Sequence, residues 1–393
     1  MNVTSRFDRP RSAGRAPAAG GLPAAPDGGL VFSALVLVSL GVVMSYSTTA
    51  TLALEQRLPP LFLHHLSALV VGLFAAVAAS RVPPAQLQRI ALPLWAGSVL
   101  LLVATAAFGT EVNGAKRWLA LPGLGMRFQP AEIAKLATVL AVASVISRRD
   151  GHEELSTPRA FAAAALALPP MALLVLQPDL GNTLLIAALV ALLLVVGGTR
   201  LVRLIVPGAV VLVFAVLYIA RNAYALRRIT GFIDPWANRL GEGYQLVQSM
   251  VAFGRGGLFG VGIGNGQQKL AYLPEAHTDF ILALVAEELG LAGVLVVLGG
   301  FAGLLVAGTR IARASVQRFD LLVAFGATAF LGLPAIVNAS VVMGLLPTKG
   351  LTLPFLSYGR TSMIVCCAAL GLLIGVARSD RRSASARGAA RWR

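Results

Sequence analysis

Gly29 to Ala50 reads GLVFSALVLVSLGVVMSYSTTA, twenty-two residues without a charge. Wound as a helix at about 1.5 Å per residue, this stretch spans about 33 Å, enough to cross the ~30 Å hydrocarbon layer of a bilayer. Nine further windows of the same kind follow: Leu61 to Ser80, Ile90 to Phe108, Ala131 to Ser147, Ala160 to Leu176, Gly181 to Gly197, Leu201 to Ala220, Phe280 to Ala307, Leu321 to Gly344 and Leu356 to Ala377. The expected fold is therefore an all-α integral membrane protein of ten transmembrane helices. Pro169-Pro170 and Pro207 should kink or shorten the spans that hold them. Composition agrees: of 393 residues 57% are hydrophobic and 13% charged, against ~25% charged in an average soluble domain, which excludes a soluble globular protein. The ~10-residue alternating segments of a β-barrel are absent, so backbone hydrogen bonds must close within helices.

The net charge of +16 comes from basic residues in short runs between spans. Membrane topology accounts for these runs better than nucleic acid does. With the N-terminus inside, the cytoplasmic segments hold 20 of the 33 Lys and Arg residues and the short outer loops hold 5. Both termini are expected in the cytoplasm: residues 1–28 as a disordered tail without a signal peptide, residues 378–393 as a basic tail suited to anionic headgroups. Cys366 and Cys367 are adjacent inside one span and read as packing residues, not as a disulfide or metal site.

One connection is anomalous. Residues 221–279 form a loop of about sixty residues on the outer side, and connections longer than ~15 residues are usually functional or disordered. Seven glycines between Gly254 and Gly266 alternate with Phe253, Leu258, Phe259, Val261 and Ile263, too apolar for a disordered linker. A re-entrant structure folding back on the bundle is expected.

Polar residues at membrane depth are costly, and each is a candidate site. Lys116 and Arg117 precede the fourth span. Glu132 and Lys135, three apart on that span, can pair, and an internal salt bridge is the plain structural reading. Asp179 in Gln177-Pro178-Asp179-Leu180-Gly181-Asn182 reads as a helix N-cap. The densest constellation is Tyr272-Leu273-Pro274-Glu275-Ala276-His277-Thr278-Asp279-Phe280, which ends the long loop and runs into the eighth span. A cap would explain Thr278 or Asp279 and leave Glu275 and His277 unexplained; a metal site from His277 and Asp279 has the wrong spacing for one helix face. Lys349 lies in Leu346-Pro347-Thr348-Lys349-Gly350-Leu351, followed by Ser357-Tyr358-Gly359-Arg360. All four lysines, Lys116, Lys135, Lys269 and Lys349, fall on or near the outer side, whereas the cytoplasmic loops use only arginine. A compact ammonium is indicated there.

These motifs, in this order on ten spans, resemble the SEDS family (shape, elongation, division and sporulation) across essentially residues 29–377. The residues that carry the likeness are Asn113 to Leu119, Gln129-Pro130, Gln177 to Gly181, Gly243-Tyr244-Gln245, Phe253 to Asn265, Pro274 to Phe280, Glu287-Glu288-Leu289-Gly290 and Leu346 to Tyr358. The segments ending in Asp279 and around Lys349 resemble the division branch more than the elongation branch. The resemblance implies a peptidoglycan glycosyltransferase of the bacterial cytoplasmic membrane, at the septum, polymerising lipid II beside a class B penicillin-binding protein and other divisome membrane proteins. By that likeness Asp279 is the catalytic aspartate and Lys349 a functional lysine. Ala271 stands where the division branch commonly has an acid, Arg360 where a second glycine is usual, and Ala131 where a serine is usual.

The chemistry fits such a set. A sugar hydroxyl attacking an anomeric carbon needs one base, and a lipid diphosphate leaves as a stable anion needing only cationic support. Asp279 is the expected base. Lys116, Arg117, Arg255, Lys269 and Lys349 are the expected cations for substrate, with Glu275, His277 and Ser357 as further substrate contacts. A divalent cation, Mg2+ or Mn2+, would share that work with few protein ligands; no organic cofactor is expected. The competing readings are a flippase for the lipid-linked precursor and a scaffold that only recruits a synthase.

Overall fold

The computed structural model describes residues 27–50, 58–112, 114–121, 126–148 and 155–390. Thirteen helices are seen among the described residues: α1 Gly28–Ala50, α2 Pro60–Arg81, α3 Pro84–Phe108, α4 Pro130–Ser147, α5 Thr157–Ala165, α6 Leu168–Leu176, α7 Leu180–Val196, α8 Val202–Arg221, α9 Ala223–Ile233, α10 Tyr244–Gly256, α11 Ile281–Ala314, α12 Arg318–Val342 and α13 Arg360–Ala390. Nine spans, α5 and α6 counted together, are long and apolar enough to cross a membrane. The tenth, α7, is a mostly apolar helix of 17 residues and about 25 Å of length, at the short end of what spans a bilayer. The ten windows read from the sequence all fall on these helices, and the chain is an all-α, multi-pass membrane protein.

Proline sets several boundaries. It stands at the first or second position of α2, α3, α4 and α5, where its missing N–H has no helical partner to lose. At Pro169-Pro170 the expected distortion is a full break, which divides the fifth span into α5 and α6. Asp179 caps α7: its Oδ1 accepts the Asn182 N–H at 3.1 Å and its Oδ2 accepts the Asn182 side chain at 2.8 Å. The N-cap reading of Asp179 is therefore correct.

The sequence reading contained no strand, yet the segment between α3 and α4 forms a small antiparallel sheet of β1 Thr110–Val112, β2 Ala115–Leu121 and β3 Met126–Phe128, in that order. Gly114, at φ 75°, turns β1 into β2. The last helix, α13, continues through the basic tail to Ala390. The expected disordered tail, residues 1–28, lies outside the described residues up to residue 26.

The bundle core is built from α4, α7, α11, α12 and α13, with α4 buried along nearly its whole length. Cys366 and Cys367 are free and buried; Cys367 packs against Gly72 of α2. By contrast α8 presents Val206, Val210, Val213 and Phe214 outward, with only Ala215 buried.

The eighth span is not one rod. α11 breaks at Gly290, whose φ of 68° and ψ of −164° suit glycine alone. The glycine-rich part of the long loop docks into this break. Val261 and Gly262 donate their N–H groups to the carbonyls of Glu287 and Glu288 at 3.0 Å, and the Gly257 and Leu258 carbonyls accept from Leu291 and Ala292 at 2.9 and 3.1 Å. Backbone groups freed by the break are thus satisfied by the loop, as an apolar surrounding demands. The long segment folds back on the bundle as expected.

Candidate active site

Two chain segments build the site. The first runs from Leu273 to Phe280 into the start of α11; the second is the loop between α12 and α13, from Met343 to Gly359. Each carries one residue other than glycine in the left-handed region, Glu275 at φ 53° and Phe355 at φ 66°, and such strain persists only where surrounding structure holds it. The Glu275 carbonyl gathers the N–H groups of Thr278 and Asp279 at 3.2 and 3.0 Å, curling the first segment so that Asp279 faces the second. The segments are tied by the Tyr358 N–H to the His277 carbonyl, 2.8 Å, and by Arg228 of α9 to the Thr348 carbonyl, 3.0 Å.

Asp279 sits at the meeting point. Its Oδ2 lies 3.0 Å from where a Cβ on Gly350 would stand, so the glycine leaves room for the carboxylate. Burial pushes the Asp279 carboxyl up to about 7, with the Glu275 charge adding to the rise and Arg228, a Thr278 hydrogen bond and Arg117 opposing it. Sequence left open whether desolvation or neighbouring cations would prevail; desolvation does. Burial lowers Lys349, while Asp179 beside it favours the charged ammonium. His277 is likewise lowered by burial against a raising influence from Glu275.

The expected cations divide into two groups. Arg117 comes to the site's rim: its Nε donates to the Gln177 carbonyl at 3.1 Å and its Nη2 to the Pro178 carbonyl, joining β2 to the turn before α7. Lys116 is exposed on the same strand. Lys349 is half-buried between Asp179 and the Asp279 loop. Lys269 and Arg255, in contrast, are committed elsewhere. Lys269 is buried, 2.8 Å from Glu288 Oε1 and 3.0 Å from Ser47 Oγ. Arg255 reaches Glu287 Oε1 at 3.5 Å and the Gln267 side chain. These pairs neutralise two fully buried acids in α11 and pin the glycine loop; Lys269 is itself buried there, whereas Arg255 keeps an exposed side chain.

Ser357 also serves the scaffold, its buried Oγ accepting the Leu353 N–H at 2.8 Å. Glu275 is exposed and accepts from Thr278 Oγ1 at 2.9 Å. Glu132 and Lys135 form the expected internal salt bridge, 2.7 Å, both buried. The pair lines a small cavity with Gln129, Asn182, Thr352 and Ser362 that reaches Gly350, immediately beneath Asp279, with room for a water molecule. Among the described residues, no three His, Cys, Asp or Glu side chains cluster to hold a metal.

Two residues near the reacting centre were not among the sequence candidates. Arg228 is the leading cation acting on Asp279; its signal was a basic pair, Arg227-Arg228, inside the anomalous loop. Asn338 is a buried amide near the C-terminal end of α12, and its polarity within an apolar span was the signal.

The cell cycle protein family of FtsW, RodA and SpoVE matches this chain over residues 29–382. A probable peptidoglycan glycosyltransferase FtsW from Alkalilimnicola ehrlichii is 42% identical over 364 residues, covering 90% of each chain. Another from Coxiella burnetii is 39% identical, covering 89% of this chain and 96% of the relative. Among solved structures, a peptidoglycan synthase complex that coordinates polymerization and crosslinking superposes with a TM-score of 0.73 at 32% identity, covering 91% of this chain and 98% of the other. The rod shape determining protein RodA of Thermus thermophilus superposes at 0.67 with 31% identity, covering 90% and 97%. Sequence, architecture and the Asp279 segment agree: the chain belongs to the FtsW, RodA and SpoVE family of cell cycle proteins.

Proposed function

We propose that the chain is a division-type peptidoglycan glycosyltransferase that polymerises lipid II on the outer face of the bacterial cytoplasmic membrane, at the septum and with both termini in the cytoplasm. The observation that carries this reading is Asp279, a carboxyl raised to about 7 at the mouth of α11, packed against Gly350 and acted on by Arg228 and Arg117. The FtsW names of relatives at 38–42% identity support the division branch.

In the reaction Asp279 takes the proton of the acceptor sugar hydroxyl as its oxygen attacks the donor anomeric carbon. A base with a pKa near the working pH combines a large ionised fraction with useful basicity. The departing undecaprenyl diphosphate is stabilised by Arg117 and Lys116 on β2 and Lys349 on the loop between α12 and α13. A divalent cation, Mg2+ or Mn2+, would need few protein ligands besides phosphate oxygens and water, and the exposed Glu275 carboxylate would be one, leaving Asp279 free to act as base. When bound, such an ion would offset the charge of the diphosphate.

The similarity to a peptidoglycan synthase complex supports pairing with a class B penicillin-binding protein and, through it, other divisome membrane proteins. The break in α11 gives the flippase reading its one specific support, because transporters build sites at interrupted helices. An assay of purified protein with lipid II in detergent separates the two, since detergent abolishes the compartments a flippase requires. Glycan chains from the parent and none from Asp279→Ala are expected. Chains from Asp279→Ala would remove the base assignment, and their absence from the parent with its partner present would favour transport.

A further inference from the structure

Asn338 lies one turn after Pro334 in α12 and is almost wholly buried. Its Nδ2 donates to two backbone carbonyls, those of Asp279 and Leu351, both at 2.7 Å. Neither carbonyl belongs to a regular helix, so without this amide each would be a buried acceptor lacking a partner. The amide's own Oδ1 has no hydrogen-bond partner. The two donor bonds therefore fix its orientation: rotating the amide by half a turn would set its oxygen against two carbonyl oxygens.

The geometry links the two halves of the site at the residue that matters most. Leu351 follows Lys349 and Gly350, and Leu351 N–H closes back on the Lys349 carbonyl at 2.9 Å. Gly350 already stands so near Asp279 that a Cβ there would touch its carboxylate. A slip between the two segments would move the Lys349 loop relative to the Asp279 carboxylate.

Resting on the glycosyltransferase reading, we propose that Asn338 is a positioning residue of the reaction. Its carboxamide clamps the Asp279 backbone to the Lys349 loop, so that base and cation meet the two sugars in fixed register. Asn338 itself touches no substrate, and it acts on turnover more than on binding.

The test compares purified Asn338→Asp, Asn338→Ala and Asp279→Ala proteins, measuring polymerisation rate against lipid II concentration in detergent, with thermal unfolding alongside. Asn338→Asp keeps the side-chain volume and replaces the donor by an acceptor. Its kcat is expected to fall about 100-fold, the cost of misplacing a reacting group by about 1 Å, with KM within about threefold of the parent and the fold retained. A parental kcat in Asn338→Asp would overturn the proposal, as would a raised KM at unchanged kcat, which would make Asn338 a substrate contact. Loss of the fold in both Asn338 variants would overturn it too, by making the residue part of the scaffold. Polymerisation by Asp279→Ala would instead defeat the underlying reading; a silent Asp279→Ala beside a normal Asn338→Asp would defeat the clamp alone.

Discussion

Replacing Asp279 by asparagine should silence the enzyme and, at neutral pH and above, stabilise the fold. The magnitude follows from the carboxyl being raised from 3.8 to about 7. Each unit corresponds to about 1.4 kcal/mol, so the shift sets a ceiling of about 4 kcal/mol on what the folded state loses by ionising this group. Asp279 is only partly shielded, and a gain of about 2 kcal/mol is the reasonable expectation for the uncharged isostere. The sign is definite. A carboxyl whose folded pKa lies above its unfolded value holds an extra proton in the native state between about pH 4 and 7, so parental stability declines as pH rises through that window. Above about 7 the deficit is complete and constant.

Thermal unfolding in detergent from pH 4 to 9 reads this out. The parent and Asp279→Asn should coincide near pH 4, diverge up to about pH 7 and then run parallel, the variant melting a few degrees higher. Polymerisation by the parent should rise across the same window, about tenfold between pH 6 and pH 8, while the variant stays silent. A variant that melts lower than the parent at pH 8 would refute the reasoning. It would mean that Arg228 and Arg117 outweigh burial and that Asp279 is a structural anion in a salt-bridge network.

Three further outcomes test the surrounding geometry. Gly350→Ala places a methyl 3.0 Å from Asp279 Oδ2 and should cut the polymerisation rate about 10- to 100-fold with the melting temperature unchanged. Glu288→Gln leaves the Lys269 ammonium buried without its counter-charge and should cost about 3–5 kcal/mol, read as poor recovery of folded protein from detergent. Lys349→Arg keeps the charge and replaces a compact ammonium by a planar guanidinium beside Asp179, and a rate loss of about tenfold in the lipid II assay is expected; full activity would remove the argument for lysine.

How much of this was visible in the chain itself follows from the range of each interaction. The ten spans are properties of windows of about twenty residues, and hydropathy alone locates them. The salt bridge of Glu132 and Lys135 and the cap made by Asp179 are also local, within one helical turn, and both were readable. The small sheet was not, although Asn113-Gly114 is a hairpin signal: strands of three residues carry too little alternation to register. The pairing of Lys269 with Glu288 and of Arg255 with Glu287 was not readable, because these acids lie beyond a loop whose return path the sequence does not state. Counting acids inside the eighth span would have raised the question, since two fully buried carboxylates demand cations from somewhere. Asn338 failed to register for a different reason: its partners are backbone carbonyls, which leave no trace in side-chain patterns.

The break in α11 explains how Asp279, the proposed catalytic carboxylate, is held at a helix mouth. A continuous helix would place Asp279 at the frayed end of a long rod, where the first turn is the least constrained. Breaking the rod at Gly290 makes Ile281–Leu289 a short block, and nearly every residue of that block is buried. Two backbone hydrogen bonds then join it to the glycine loop, and two more join that loop to Leu291 and Ala292 beyond the break. That contact is close enough to require glycine on the loop side: a Cβ on Gly256 would come within 1.8 Å of the Ala286 carbonyl oxygen, and one on Gly260 within 2.1 Å of that of Glu288. Glu287 and Glu288 add side-chain bonds to the Gln267, Gln268 and Gly264 N–H groups. Within an apolar layer each of these bonds is costly to leave unmade, so loop and block rise or fall together. The glycines and the two acids thus act at a distance, giving Asp279, the proposed base, a rigid footing.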